Sequence, residues 1–465
     1  MRTTFSGLEI ARRALQAHQR AIDVTGHNIA NMNTPGYSRQ VASLAASNPY
    51  PVPARNQGVG PWQVGTGVNV TEIIRVRDRF ADQQIRQESQ ELGRWETRKN
   101  LLHQVESIYN EPSEYGIRQA LDLFWQSLQD LSIHPDDLSV RAVVLQRGSV
   151  LSDALRDTRR QLVELRSDVN QTAAITVAEI NDLAKQIADV NAQIGKVVSV
   201  GGQPNDLYDQ RDLLLADLSK LVNISVTQRS QGMISVTIGG GLLVEADKAF
   251  ALEAVRQMEN AQFYDIVWAG RGTKANIESG TLAGLLEFRD QDLREQIAHL
   301  DELASTLIEK FNEIHQEGFN LGGVKAGPFF KGSSAFDIDV AITEPEKIAA
   351  GVTANRGDGE NALALAQLQH QPLLSGRTAT LNDYFGAMMG ALGVASQQAQ
   401  TRTNNQQLIL EHFHNRQEMT AGVSLDEELT NLIRFQHAYN AAARLATTMD
   451  EAIEVIINRM GLVGR

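Results

Sequence analysis

The side chains that could do chemistry are few and scattered. Glu411-His412-Phe413-His414 sets a carboxylate beside a His-x-His pair, which are residue types used by first-row metal sites. Two histidines that close together on a helix diverge and suit one metal ion poorly, so solvated positions near a helix end are expected instead. His299 and His315 are isolated and read as structural. Gly239-Gly240-Gly241 lacks the lysine and following helix of a phosphate loop and reads as a turn. Gly58, Gly60, Gly65 and Gly67 read as loop glycines. No Ser/His/Asp or paired-carboxylate arrangement is recognisable, and the chain has no cysteine. The expectation is a protein without catalytic residues, metal or cofactor.

Attention therefore moves to the elements and to the stretch Asn28 to Gln40, NIANMNTPGYSRQ. Before it, Leu8, Ala11, Leu15, His18, Ile22, Thr25 and Ile29 recur at steps of three and four, which predicts a helix. Its stripe is narrow and interrupted by polar residues, closer to a coiled-coil seam than to a globular core face. The helix should close near Asn31 to Asn33, because Thr34 precedes Pro35 and is biased away from the α region. Pro35-Gly36 predicts a type II turn, and Tyr37-Ser38-Arg39-Gln40-Val41 an extended exit. At the other end, Leu425, Leu429, Leu432, Gln436, Tyr439, Ala443, Ala446, Asp450, Ile453, Ile457 and Met460 step by four and three without a slip. Gln436 and Asp450 would be costly in a closed two-helix core. They suit a seam that also meets water or neighbouring copies.

Between these ends the chain makes one long excursion. Residues 42–70 are rich in proline and glycine (Pro49, Pro51, Pro53, Pro61), with Val64, Val68 and Val70 predicting a short strand or hairpin. Helices are predicted from near Val76 to Tyr109 and over Ile117 to Leu131. The longest periodic stretch is Leu138 to Val198; as one helix it would run roughly 90 Å and need partner helices. Asn205 or Asp206 is expected to cap a short helix to Leu221. Alternation at Val226, Ile234, Val236 and Ile238, then around Leu252 and Ile266, predicts an antiparallel β unit over about 222–280. Helical spacing returns from Leu282 to Ile314, near Asn361 to Gln369, and from Leu381 to Thr420.

Composition narrows the classes. Aromatics make up 6% of the 465 residues, which favours helical bundles over a large enzyme core. The net charge of −13 argues against a nucleic-acid partner. No apolar run approaches the ~18 residues of a membrane span, and the N-terminus lacks the apolar segment of a cleaved signal peptide.

The Asn28 to Gln40 stretch resembles the N-terminal signature of the flagellar axial proteins of rod, hook and hook-associated type, and Tyr37-Ser38-Arg39-Gln40 resembles the hook-associated members. Gly422-Val423-Ser424, Asp426-Glu427-Glu428 and Asn431-Leu432 resemble the C-terminal signature of those members; His437 departs from the glutamine usual there. The two signatures cover roughly the first and last tenths of the chain. In larger relatives a β-rich insertion follows a Phe-Phe pair like Phe329-Phe330; here few residues separate that pair from Asp337-Ile338-Asp339, so the insertion is expected to be absent.

The resemblance implies a structural protein of the bacterial flagellum, joining hook to filament by helical self-assembly. The expected fold is mainly α, with paired coiled-coil-like terminal helices (1–75 with 421–465), a long helical rod (76–221 with 281–420) and an inserted small β unit (222–280). Implied partners are other copies, hook protein on one side, the next junction protein on the other, and an export chaperone. It also implies export without a cleaved signal to an extracellular position at the hook–filament junction. Expected assembly residues are Leu8, Leu15, Ile22, Asn28, Asn31, Thr34, Pro35, Gly36, Tyr37, Arg39, Gln40, Leu429, Gln436, Tyr439, Ile453 and Ile457. The alternatives are another axial protein, hook or rod, and a secreted helical effector or adhesin. An enzymatic role is a third option, as in rod proteins carrying a muramidase domain, which nothing in this chain resembles.

Overall fold

The computed structural model describes residues 5–50, 65–114, 116–256 and 263–459. Val64, Pro51, Pro53, Pro61, Gly58, Gly60 and Met460, all named above, lie outside them. Helix α1 spans Ser6–Ala30. The Asn31 side chain donates to the His27 carbonyl at 3.0 Å and helps to close it. The turn follows as predicted: Tyr37 N donates to Thr34 O at 3.2 Å, and Gly36 takes φ +77°, a conformation glycine adopts freely.

Strand β1, Gln40–Ala46, pairs antiparallel with β2, Val68–Arg75, with a bulge between Ser43 and Leu44. The second strand therefore runs five residues past Val70. Helix α2, Arg79–Tyr109, starts where Asp78 caps the amides of Phe80 and Ala81. Helix α3 is Ile117–Ile133. Helix α4, Leu138–Ser199, is continuous over 62 residues, about 93 Å at 1.5 Å per residue. Asp137 caps its start.

Helix α5, Asn205–Leu221, corrects the expected cap: Pro204 stands at the N-cap position and no side chain caps it. The side chains of Asn205 and Asp206 turn instead to the terminal ribbon. The β unit comprises β3 (Ser225–Gln228), β4 (Ile234–Ile238), β5 (Gly241–Glu245) and β6 (Lys248–Ala249) as one antiparallel sheet in that order. Strands β7 (Leu252–Arg256) and β8 (Tyr264–Trp268) form a separate hairpin. Helix α6, Thr281–Glu287, passes through a π turn at Phe288–Asp292 into α7, Leu293–Glu317. Strands β9 (Phe330–Lys331) and β10 (Asp339–Val340) close a short hairpin where the insertion was expected to be missing. Helices α8 (Glu360–Gln367), α9 (Leu381–Ala421) and α10 (Leu425–Arg459) complete the chain.

One hydrophobic core runs from Leu101 in α2 through α3, α4, the β unit, α6 and α7 to Ala399 in α9. At its centre Phe124, Phe311, Phe329 and Phe330 pack with ring centroids 4.8–5.9 Å apart. Ile234, Val236, Ile238, Leu243 and Val244 of the sheet belong to the same core. Asn191 of α4 ties them down by donating to Ile234 O and Ala246 O at 3.1 and 2.9 Å. Among the described residues, α1, β1, β2 and α10 contribute nothing to this core. The terminal helices pair with one another outside it.

Candidate assembly site at the terminal helices

Asn28 is the hinge pin of the terminal unit. Its amide nitrogen donates to Gln40 O at 2.9 Å and to Glu428 Oε2 at 3.0 Å. Its carbonyl oxygen accepts from the Tyr37 hydroxyl at 2.7 Å and from Gln40 N at 2.9 Å. Both donors and both acceptor positions of the buried side chain are filled. The Tyr37 phenol is held well above its ordinary pKa by burial and by Asp206, Asp209 and Glu428, so it remains a donor. Arg39 reaches Glu428 at 2.9 Å and Glu427 at 3.1 Å, while its backbone N donates to Ala421 O at 2.9 Å. The extended exit of the N-terminal helix is thereby stitched to the start of the C-terminal one.

A second set of bonds joins this unit to the rod. Asp209 of α5 accepts from Ser38 N and Oγ at 3.1 and 2.7 Å and from Arg75 at 2.7 Å. Gln40 donates to Asp206 at 2.7 Å and accepts from Asn205 at 3.2 Å. Arg77 bridges Ser38 at 3.0 Å and Asp82 at 2.7 Å. These contacts are polar, so hydrogen-bond geometry fixes the register of the terminal helices on α5, beside the approach of Gly36 to Leu213. Sequence reading named Ser38 and Glu428 only within the terminal signatures and Asp206 only as a cap candidate, and it missed Asp209, Arg75 and Arg77. The alternating arginines at 75, 77 and 79 in an extended segment were the available signal.

The helix seam keeps Ala11, His18 and Thr25 of the expected stripe on α1 but otherwise runs one position earlier, through Gly7, Ala21 and Asn28, and it departs from the expected stripe on α10 as well. Gly7 lies against Met449, whose Sδ would be 2.7 Å from a Cβ at that position. The His18 ring sits 6.4 Å from Phe435; its pKa is lowered by burial, and its Nδ1 is buried without a partner among the described residues. On α10 the inward row is Glu428, Phe435, Ala442 and Met449, with Leu432, Tyr439, Ala446 and Ile453 beside it. The expected Gln436 and Asp450 face out, because the helix is turned by one position to bring Glu428 under Asn28 and Arg39.

Of the expected assembly residues, Leu8, Leu15, Ile22, Asn31, Tyr37, Arg39, Tyr439 and Ile453 are half-buried, and Thr34, Pro35, Gly36 and Gln436 are exposed. Asn28 and Gln40 are buried and committed to bonds within the chain, so they position the loop and do not reach the surface. Leu429 is 42% exposed and Ile457 69%, and Leu425, Ile433, Val455 and Ile456 are also exposed along α10. The α9 end adds exposed Leu408, Ile409 and Met419. His412 packs on Phe413, and among the described residues no three His, Asp or Glu side chains group as metal ligands. No described helix is long and apolar enough to cross a membrane.

This geometry can be set beside known proteins. Residues 102–330 match the family model for the flagellar hook-associated protein FlgK helical domain. Residues 8–37 match that of the flagella basal body rod protein, and residues 419–459 that of the flagellar basal body rod FlgEFG protein C-terminal region. Flagellar hook-associated protein 1 of Bacillus subtilis (strain 168) is 34% identical, with all of both chains covered. Flagellar hook-associated protein 1 of Escherichia coli (strain K12) is 26% identical over 96% of this chain and 98% of its own. The structure of the flagellar hook junction protein FlgK from Burkholderia pseudomallei superposes with a TM-score of 0.67 at 18% identity, covering 73% of this chain and all of its own. The chain belongs to the flagellar hook-associated protein 1 family, structural components of the bacterial flagellum at the hook–filament junction.

Proposed function

We propose that copies of this chain assemble helically between hook and filament, outside the cell, through the outward surface of the paired terminal helices. The observation that carries this reading is the set of exposed apolar side chains on α10, Leu425, Leu429 and Ile433 near its start and Ile457 near its end, on a helix pair that stands outside the main core. Burial of such side chains against neighbours stabilises by roughly 25 cal/mol per Å² of apolar area. Thr34, Pro35 and Gly36 add an exposed loop held in shape by Asn28. Contacts of this kind are heterologous, so they propagate around a helical tube and do not close in a two-fold dimer. Hook protein occupies one side and the next junction protein the other. Before assembly an export chaperone covers the exposed apolar side chains, and the chain leaves without a cleaved signal.

Within this reading the chain divides into a terminal unit (1–75 with 421–465), a helical rod (76–221 with 281–420) and a β unit (222–280). The test is a truncation after residue 424, introduced into cells lacking the full-length chain. The rod should remain folded and soluble, and hooks should form without attached filaments. Normal filaments on those hooks would refute the role of the terminal pair. Immunogold labelling of the intact protein should mark the hook tip.

A further inference from the structure

Although the chain carries a formal charge of −13, it gathers cations at one place. A cleft of about 690 Å³ opens where β2, the start of α2, α5 and the β3–β4 turn meet. Arg75, Arg77, Arg79, Arg86, Arg211 and Arg229 line it, against Asp82 and Asp212, with Asp209 behind. Arg75 and Arg77 take all three carboxylates, at 2.7 to 3.5 Å. Among the described residues the other four arginines have no ion pair.

Two of those four are withdrawn from water. Arg211 is 7% exposed; it donates to Asn191 Oδ1 at 3.1 Å and Gly232 O at 2.8 Å, but its Nε–H is buried with no acceptor among the described residues. Its guanidinium lies 5.0 Å from the Tyr208 ring, and that of Arg75 lies the same distance from the same ring. Arg86 is partly buried and has no hydrogen-bond partner among the described residues. Burial lowers the proton affinity of both groups, even though Asp212 pulls the other way. Arg86 lacks a partner and Arg211 keeps one N–H unsatisfied, both in the lining of one cleft, so an anion bound there would supply acceptors that the described residues do not.

We propose that this cleft binds an oxyanion with at least two free oxygens, a phosphate-type or carboxylate group, held by Arg86 and Arg211. The planar forks of guanidinium groups match such oxygens in pairs. The occupant would touch segments of the terminal ribbon, the rod and the β unit at once, and so lock the polar junction between them. Two sources share this chemistry: a dissolved anion and a carboxylate side chain of a second copy. The second source rests on the assembly reading; the site itself does not.

The test follows thermal unfolding of the full chain in low-millimolar inorganic phosphate against chloride at matched ionic strength. Phosphate should raise the wild-type midpoint saturably. Arg86→Gln should weaken the apparent affinity about tenfold or more, and Arg79→Ser, at an exposed position of the same lining, should weaken it by less, through loss of charge alone. Non-specific stabilisation by phosphate would shift all three proteins equally, and that result overturns the site. Self-assembly followed by sedimentation then separates the sources. Inhibition by phosphate, with a folded but non-assembling Arg86→Glu, identifies the second copy. Assembly indifferent to both, with phosphate still binding the monomer, identifies the dissolved ion.

Discussion

The amide nitrogen of Asn28 lies 3.0 Å from Glu428 Oε2, closing the chain across 400 positions. Because every hydrogen-bonding position of Asn28 is used, Asn28→Ala strands the Tyr37 hydroxyl, Gln40 N and O, and Glu428 together. Each buried unsatisfied group costs about 1–3 kcal/mol, and relaxation of the loop recovers part of that. We expect a local loss of about 2–4 kcal/mol in the terminal unit. It should be read as faster proteolysis around residues 31–50, with the rod's unfolding midpoint unchanged.

His315 gives a pH signature to the rod. It is fully buried, with Nδ1 2.8 Å from Gly327 O and Nε2 accepting from Ala349 N at 3.0 Å. Burial lowers its pKa from 6.5 to about 4, against the opposing bond to Gly327. The unfolded chain therefore binds the proton first, so this stability is complete above pH 6.5 and lost as pH falls toward 4. The loss is on the order of 3 kcal/mol. Denaturant titrations at pH 7 and pH 4 should show His315→Gln less stable than wild type at pH 7, with a smaller fall on acidification.

Gly148 sets the approach of α4 to the phenylalanine cluster. A Cβ there would fall 2.9 Å from Phe329 Cε1 and 3.3 Å from Phe124 Cε2. Neither ring can swing away without displacing Phe311 or Phe330. Gly148→Ala should destabilise the rod by about 1–3 kcal/mol, despite alanine's better helix propensity. A midpoint at or above wild type would show that the cluster can relax.

Helix α4 was legible because it is long and strongly periodic: Leu151, Leu155 and Leu162 announce a core-facing stripe, and Pro135 and Gly201-Gly202 bound it. The motif at Pro35-Gly36 was legible because turn chemistry is local. The α10 face was not. Ala442 and Met449 compete with Ala443 and Asp450 at nearly the same spacing, and the deciding residue, Glu428, is charged. It is buried only because Asn28 and Arg39 meet it. The junction with α5 pairs residues about 130 to 170 positions apart through one or two hydrogen bonds each, and no local pattern marks such partners.

The terminal pair has a thin seam of alanine, threonine and half-buried leucine, with His18 Nδ1 left unpartnered among the described residues. Ordering costs about 1–2 kcal/mol per residue, which a seam of this size barely offsets. In the free chain, amide hydrogen exchange should be fast over residues 6–24 and 432–459, beyond the Asn28–Glu428 network, and slow around Leu128, Leu155 and Leu307. Strong protection of both termini would mean that the seam is stable without neighbours.

Assembly through the exposed apolar side chains of α10 is tested most directly by Leu429→Glu combined with Ile457→Glu. Neither residue is buried in the single chain, so the purified variant should keep the wild-type helical signal and unfolding midpoint. Filament attachment, counted by electron microscopy of cells that make only this variant, should then be lost, with hooks still present. Filaments anchored at wild-type frequency would contradict the account.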